Sequence, residues 1–288
     1  MRSRLKAAVA VLATALMLGA MTAAPAAAVT GGTPDGNEHP NVGLILYYGD
    51  DGGRYRCSAT LVTPTVILTA AHCTDGTVGK TLVTFKSVIA NQAPSGFPVA
   101  ASAAAGYTQA ELEAAGFQSG TANTHPAYSD FTDLDNWNDV GVIVLDRPVT
   151  NIAPAKLAPL GFLDAYGQPR LNKTIFTSVG YGTEVRKPDS GPQKPTPMTF
   201  PLIRRYAEQP GQKLTPQVVQ MNGNPNDTKG TGGTCFGDSG GPSFLNGYAV
   251  TVTSYAFTDN CRYLGGYQRV DIKVVQDWLA TFGVLPAA

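Results

Sequence analysis

Thr234-Cys235-Phe236-Gly237-Asp238-Ser239-Gly240-Gly241-Pro242 surrounds one serine with three glycines and sets an aspartate directly before it. Glycine tolerates backbone angles that a Cβ resists, so this stretch can turn tightly enough to lift the Ser239 hydroxyl clear of the surface. The same turn can aim the amides of Gly237 and Ser239 at one point in space. A serine hydroxyl alone is a weak nucleophile. It needs a base to take its proton and donors to hold the oxyanion that forms. Taken by itself, the stretch is equally a glycine-rich turn that happens to contain Ser and Asp, so its surroundings must decide.

Two upstream segments supply them. Thr69-Ala70-Ala71-His72-Cys73 offers a histidine beside a cysteine, and Asn138-Asp139-Val140-Gly141-Val142 offers an aspartate entering an apolar run. The chain has three histidines. His39 and His125 stand beside prolines in polar, turn-like surroundings and are expected at the surface, which leaves His72 as the base. An aspartate at a strand start is often a turn residue, and Asp130, Asp133 and Asp135 in the adjoining polar loop are the other candidates. The order His72, Asp139, Ser239 is the chymotrypsin order of the triad. On these motifs the sequence resembles the chymotrypsin/trypsin-like serine protease family, as a secreted bacterial-type member, over nearly all of residues 29–288.

The resemblance implies an all-β fold of two packed six-stranded antiparallel β-barrels with a short C-terminal helix. The N-terminal barrel would take about residues 29–150 and the C-terminal barrel about 151–288. It implies a serine endopeptidase with His72, Asp139 and Ser239 as catalytic residues and the Gly237 and Ser239 amides as the oxyanion hole. The four cysteines could pair in three ways, and the family's pattern favours Cys57 with Cys73 and Cys235 with Cys261. Ser254 would donate a hydrogen bond to Asp139. The pocket base would be Gly233 with Thr234, its edge Ser254, Tyr255 and Ala256, and its opposite wall Gly265 with Tyr267 behind. Trypsin-like members carry an aspartate where Gly233 stands. Its absence points away from Lys or Arg and toward an apolar pocket for medium or aromatic side chains.

Arg2, Arg4 and Lys6 precede an apolar run from Ala7 to about Ala20, and Pro25-Ala26-Ala27-Ala28 ends in small residues. This is the pattern of a secretory signal over residues 1–28; a membrane anchor would need a longer run. Removal leaves 18 basic and 21 acidic residues and Val29-Thr30-Gly31-Gly32 as the new N-terminus. In the family such a terminus folds inward, and here its α-ammonium would pair with Asp238. Cleavage one or two residues away, or later trimming, is the alternative. Export makes disulfides chemically reasonable. Zero net charge and the lack of a basic run give no sign of nucleic acid. Protein or peptide substrates are the expected partners, with no cofactor, no metal, no membrane attachment after signal removal, a monomeric state and an extracellular location.

The hydrophobic fraction of 43%, with Gly 32 and Pro 21, suits a β-protein rich in turns. Strands are expected at 41–48, 54–62, 66–68, 80–89, 140–145, 174–180, 242–257 and 264–270. A helical turn over 70–74 would present His72. Residues 101–124 are an insertion, with a capping box at Thr108-Gln109-Ala110-Glu111 opening a helix that Gly116 ends. It is a neutral surface feature or a wall of the cleft. Residues 183–197, polar and Pro-rich, suggest an exposed loop. Residues 222–231 suggest a plain loop, or less simply a calcium loop without EF-hand spacing. Residues 271–281 form an amphipathic helix with Val274, Val275, Trp278 and Leu279 on its apolar side.

Two rival functions remain. A binding protein on this scaffold would usually have lost a triad residue or a glycine, and all are present. An esterase of the Gly-x-Ser-x-Gly type needs a histidine after its serine, and none follows Ser239.

Overall fold

A computed structural model describes Val29 and residues 31–91, 95–185 and 198–287. Residues 1–28, expected to be a signal, and most of the Pro-rich loop, 186–197, lie outside the described residues. Six strands form the first barrel: β1 (Val42–Gly49), β2 (Arg54–Thr63), β3 (Val66–Thr69), β4 (Thr77–Thr84), β5 (Gln118–Thr124) and β6 (Gly141–Leu145). They close in the order β1-β2-β3-β6-β5-β4. The second barrel uses β7 (Ile175–Gly180), β8 (Arg205–Leu214), β9 (Val218–Asn222), β10 (Pro242–Leu245), β11 (Tyr248–Ala256) and β12 (Leu264–Arg269). Its strands run β8-β7-β10-β11-β12-β9, and the β8–β9 pairing closes the ring. Counted from the first strand of each, the two rings have the same order. The expected fold of two six-stranded barrels is the one found.

Alternation explains why β1 is buried along its whole length. Ile45 and Tyr47 point into the first barrel with Leu61, Ile67, Val83 and Ile143. Val42, Leu44, Leu46 and Tyr48 point the other way, onto a layer containing Leu112, Tyr181 and Leu202. A period of two residues thus feeds two separate cores from one strand. Each such fully buried aliphatic side chain contributes about 1.5–3 kcal/mol. A third core lies between the barrels, with Leu68, Val140 and Val142 from the first and Ala249, Val252 and Val270 from the second.

The C-terminal helix α2 (Lys273–Ala280) sends Val275 and Leu279 into that junction. It therefore braces both barrels rather than the second alone. Val274 lies off the apolar face and is exposed, whereas Trp278 packs edge-on against His125, with ring centroids 5.0 Å apart. His125 is consequently buried, not a surface residue, and burial lowers its pKa. His39 is only half-buried; its Nδ1 meets Asp35 Oδ1 at 2.5 Å.

The inserted helix α1 (Gln109–Ala114) forms with both arms of the Thr108–Glu111 capping box, and Gly116 follows at φ +77. Leu112 anchors it to the first barrel. The connection after β3 is a 3-10 turn, Ala71–Cys73. The strand expected at 80–89 is split: β4 stops at Thr84, and Val88–Ala90 pairs separately with Leu202–Ile203. Glu184–Val185 pairs with Met198–Thr199 at the base of the Pro-rich loop. No helix among the described residues is long and apolar enough to cross a membrane.

Candidate active site

His72 sits in the 3-10 turn that leaves β3. Two constraints fix the turn. Thr74 N and Oγ1 both donate to Ala71 O, at 2.8 and 2.9 Å. A disulfide from Cys73 to Cys57 ties it to β2. Closing a loop of this length stabilises by about 3 kcal/mol in the chain-entropy account.

Asp139 lies at the entry to β6 and has no exposed surface. Both carboxylate oxygens and the amide are used. Oδ1 accepts the His72 amide at 3.0 Å, and Oδ2 meets His72 Nδ1 at 2.9 Å. Ser254 Oγ donates to the same Oδ2 at 2.6 Å, and the Asp139 amide donates to Gln268 Oε1 at 3.1 Å. An ionised carboxylate can only accept, so Nδ1 carries the proton and Nε2 is left with a lone pair. Trp137 Nε1, which can only donate, reaches Ser254 Oγ at 2.9 Å and so directs the Ser254 proton at Asp139. Asp130, Asp133 and Asp135 stay on the exposed loop, where Asp133 binds the Asp135 and Asn136 amides.

Ser239 is carried to this pair by Gly240. Gly240 has φ +76, and a Cβ there would stand 2.0 Å from Thr69 Oγ1 and 2.8 Å from Ala70 N. Only glycine lets the serine turn dock on the segment that leads into His72. The Ser58 amide holds Ser239 O at 2.8 Å, and the Gly240 amide binds Thr253 O at 2.8 Å. These bonds bridge β2 of one barrel and β11 of the other. Ser239 itself remains partly exposed.

The turn before it is fixed as firmly. Asp238 N donates to Cys235 O, and Gly237 lies at φ +96, as the third residue of a type II turn requires. Phe236 O accepts from Thr183 N at 2.7 Å. In a trans peptide the N–H opposes the C=O, so Gly237 N points away from Thr183. Asp238 is fully buried; its Oδ1 accepts Gly182 N at 2.7 Å and its Oδ2 accepts Cys235 N at 2.8 Å. A Cβ on Gly180 or Gly182 would stand about 2 Å from that carboxylate, which explains the glycines around Tyr181. Burial raises the Asp238 pKa to about 7, against the pull of the two amides and of Arg56. Val29 is also wholly buried, and Gly31 packs against Thr231 O and Pro225.

A cavity of about 130 Å³ opens beside Ser239, lined by Thr234, Phe236, Tyr255 and Ala256 and by the Cys235–Cys261 disulfide. Its base carries no charge. Tyr267 OH donates to Gln209 Oε1 at 2.9 Å, leaving its oxygen to accept from Thr234 Oγ1 at 2.8 Å. Burial pushes the Tyr267 pKa up to about 12. Gly233 and Gly265 stand behind this wall: Gly233 abuts Gly223, and Gly265 backs onto Tyr267. No residue of 101–124 lines the cavity.

Residues 29–279 match the trypsin family. The chain belongs to that family. It is a serine-type endopeptidase by that membership. It is 28% identical to brachyurin of Leptuca pugilator, over 81% of this chain and 90% of that one. It is 28% identical to a trypsin of Saccharopolyspora erythraea, over 78% and 85%. HL collagenase has the same fold at TM-score 0.59 and 19% identity, covering 90% of this chain and 97% of the other. Human heparin binding protein shares it at TM-score 0.55 and 17% identity, over 90% and 100%. The disulfide partners are those the family's pattern suggested. Sequence reasoning missed Trp137 and Gln268, which hold Asp139 in place. It also missed Phe131, whose ring lies 5.5 Å from that of His72. Cys57, His72 and Cys73 bring a ring nitrogen and two sulfurs within 4.8 Å, but disulfide sulfurs offer no thiolate to a metal.

Proposed function

We propose that this trypsin-family enzyme is secreted and cleaves peptides through His72, Asp139 and Ser239, preferring a medium or aromatic apolar residue on the acyl side. The observation that carries the reading is the docking of the Gly240 turn on Thr69–Ala70, next to a His72 already oriented by Asp139. His72 Nε2 takes the Ser239 proton as Oγ attacks the scissile carbonyl. Asp139 steadies the imidazolium, and the Gly237 and Ser239 amides hold the oxyanion. His72 then protonates the leaving amine, and water, activated by the same base, releases the acyl-enzyme. Small esters can follow the same path as a side activity.

The uncharged base formed by Thr234 and Tyr267 supports the apolar preference. A cavity of ~150 Å³ holds benzene, so about 130 Å³ suits one ring or a branched aliphatic. Ser254, Tyr255 and Ala256 at the end of β11 offer an edge to which substrate adds as a strand; Gly233, Thr234 and Gly265 shape the pocket from behind. Removal of residues 1–28 would free the Val29 amine to pair with Asp238, whose raised pKa marks a carboxylate short of positive charge. The matured protein acts as an extracellular monomer, free of membrane and nucleic acid, on protein or peptide substrates without a cofactor.

The test is digestion of a mixed peptide library by the secreted protein and by Ser239→Ala. Cuts after Phe, Tyr, Leu or Met, lost in the variant, are expected. Cuts after Lys or Arg would overturn the pocket, and no cuts by a folded protein starting at Val29 would favour a binding scaffold.

A further inference from the structure

A second cavity, of about 240 Å³, shares no lining residue with the apolar pocket beside Ser239. It is walled by Leu46, Phe97, Phe200 and Leu202, with Arg54 and Arg56 beside them. The two arginines share one face of β2, two residues apart, and Ser58 follows at the same spacing. Ser58 holds the nucleophile turn: its amide binds Ser239 O and its Oγ donates to Gly237 O at 2.9 Å. Arg56 Nε lies 3.1 Å from where a Gly237 Cβ would stand. Arg56 therefore lies between the cavity and the nucleophile turn.

The arginines are short of counter-charge. Neither is within 4.0 Å of a carboxylate among the described residues. Arg54 Nη1 is spent on Pro98 O at 3.0 Å. Arg56 Nη2 is buried with no hydrogen-bond partner. Burial lowers the Arg56 pKa, and the one opposing influence is the charge of Asp238 behind it. Pairing of Asp238 with the Val29 amine would remove even that. Two guanidinium groups without a carboxylate partner, lining a cavity whose other walls are apolar save for Ser95, make a site for an anion on an apolar stem. The inserted segment supports one wall without lining it: Phe117 packs on Phe97 with ring centroids 5.7 Å apart.

We propose that this cavity is a leaving-group subsite in which Arg54 and Arg56 select a carboxylate carried by the peptide just beyond the cut. The proposal rests on the protease reading above. Substrate paired with Ser254–Ala256 upstream of Ser239 must leave past Gly237, toward β2. From Ser58 to Arg56 is about 7 Å of strand, a length that two extended substrate residues span. The second residue after the cut is therefore the one that reaches the arginines. The carboxylate is an acidic side chain there, or the α-carboxylate of a chain ending there.

The experiment measures kcat/KM on amidated peptides with one fixed acyl-side sequence and Glu or Gln at the first, second or third position after the cut. A further pair ends at the second position as free acid or as amide. The Glu-to-Gln ratio cancels any general loss of activity, so it is read in the wild type, in Arg56→Gln and in Arg54→Gln. Arg54 is exposed, so its variant tests the site even where Arg56→Gln folds poorly. The expected result is at least about a tenfold preference for Glu at the second position, shrinking with salt and falling below about threefold in Arg56→Gln. The acid-to-amide pair tells whether a terminal carboxylate is taken as well. Equal rates on Glu, Gln, acid and amide in the wild type overturn the subsite, as does a preference unchanged in both variants. A protein that cleaves none of the peptides overturns the protease reading itself, and the subsite with it.

Discussion

The two barrels share one strand order and differ in what their connections carry. In the first, the link from third to fourth strand bears His72, and the link from fifth to sixth bears Asp139. In the second, the link from third to fourth strand bears Ser239, and the link from fifth to sixth bears only Cys261, the disulfide partner of Cys235. Equivalent connections thus hold the proposed base and the proposed nucleophile on opposite sides of one junction. The first barrel delivers a short, rigid turn pinned by a disulfide. The second delivers a long loop that needs three glycine approaches and a buried carboxylate to hold its shape. The His72–Asp139 pair belongs to one barrel, with Ser254 and Gln268 of the other holding Asp139, and the approach of Ser239 to that pair is a property of the junction.

The largest effect separates those two jobs. Ser239→Ala and Asp139→Asn should each cut kcat by about 10⁴ or more, with Asp139→Asn leaving substrate affinity intact. If Asp139→Asn kept most of its activity, orientation of His72 would not depend on the first barrel's own pair. Gly240→Ala comes next, because it attacks the junction and neither barrel alone. Its Cβ meets Thr69 Oγ1 and Ala70 N at forbidden distances, and φ +76 strains any L-residue. Loss of about 2–5 kcal/mol of stability is expected, with a rate loss near 10² for a misplaced nucleophile. Near-normal stability by denaturant titration would show that the barrels do not meet there.

A smaller, pH-dependent effect tests the buried carboxylate of the second barrel. Asp238 has a folded pKa of about 7, raised by burial from the ordinary 3.8. Its neutral form therefore stabilises the fold fully below about pH 4, and that stability fades as pH rises through 7. A protein carrying one extra residue before Val29 should lose thermal stability over this window. With Val29 free, the paired α-ammonium has the raised pKa instead, so its contribution persists until pH rises past about 8. A Tm lower by about 2–4 °C at pH 8 is expected for the extended form, with convergence at pH 5. Parallel Tm curves would remove the terminal pair from the mechanism.

The same contrast decides what could be read from residue order. First-barrel strands such as Val42–Gly49 and Val66–Thr69 are apolar runs between turn residues, and their positions follow from burial alone. The strand Arg205–Leu214 does not announce itself. It contains Pro210, which cannot donate to a ladder, and its register shifts between Gly211 and Lys213. Gln118–Thr124 is too polar to suggest a barrel strand. His125 looked exposed because its neighbours in sequence are polar. It is buried by Trp278, which lies far along the chain. The proposed triad could be picked out in the sequence because glycine, histidine and aspartate carry local signatures. Trp137 and Gln268 could not, because their roles arise from contacts between barrels.

Trp137 provides the smallest and most discriminating prediction. It touches neither His72 nor Asp139 by hydrogen bond; its effect must pass through Ser254 Oγ. Ser254→Ala removes a bond to a buried, charged carboxylate and should cost about tenfold in kcat/KM. Trp137→Phe keeps a ring against Phe131 and Tyr255 but frees the Ser254 proton to turn away, for a loss of about two- to fivefold. Because the path is serial, the double variant should be no worse than Ser254→Ala alone. Additive losses would instead mean that the Trp137 ring shapes the cleft directly. The second barrel's hold on Asp139 would then be packing rather than a directed hydrogen bond, and the division of labour between the barrels would be less sharp than their connections suggest.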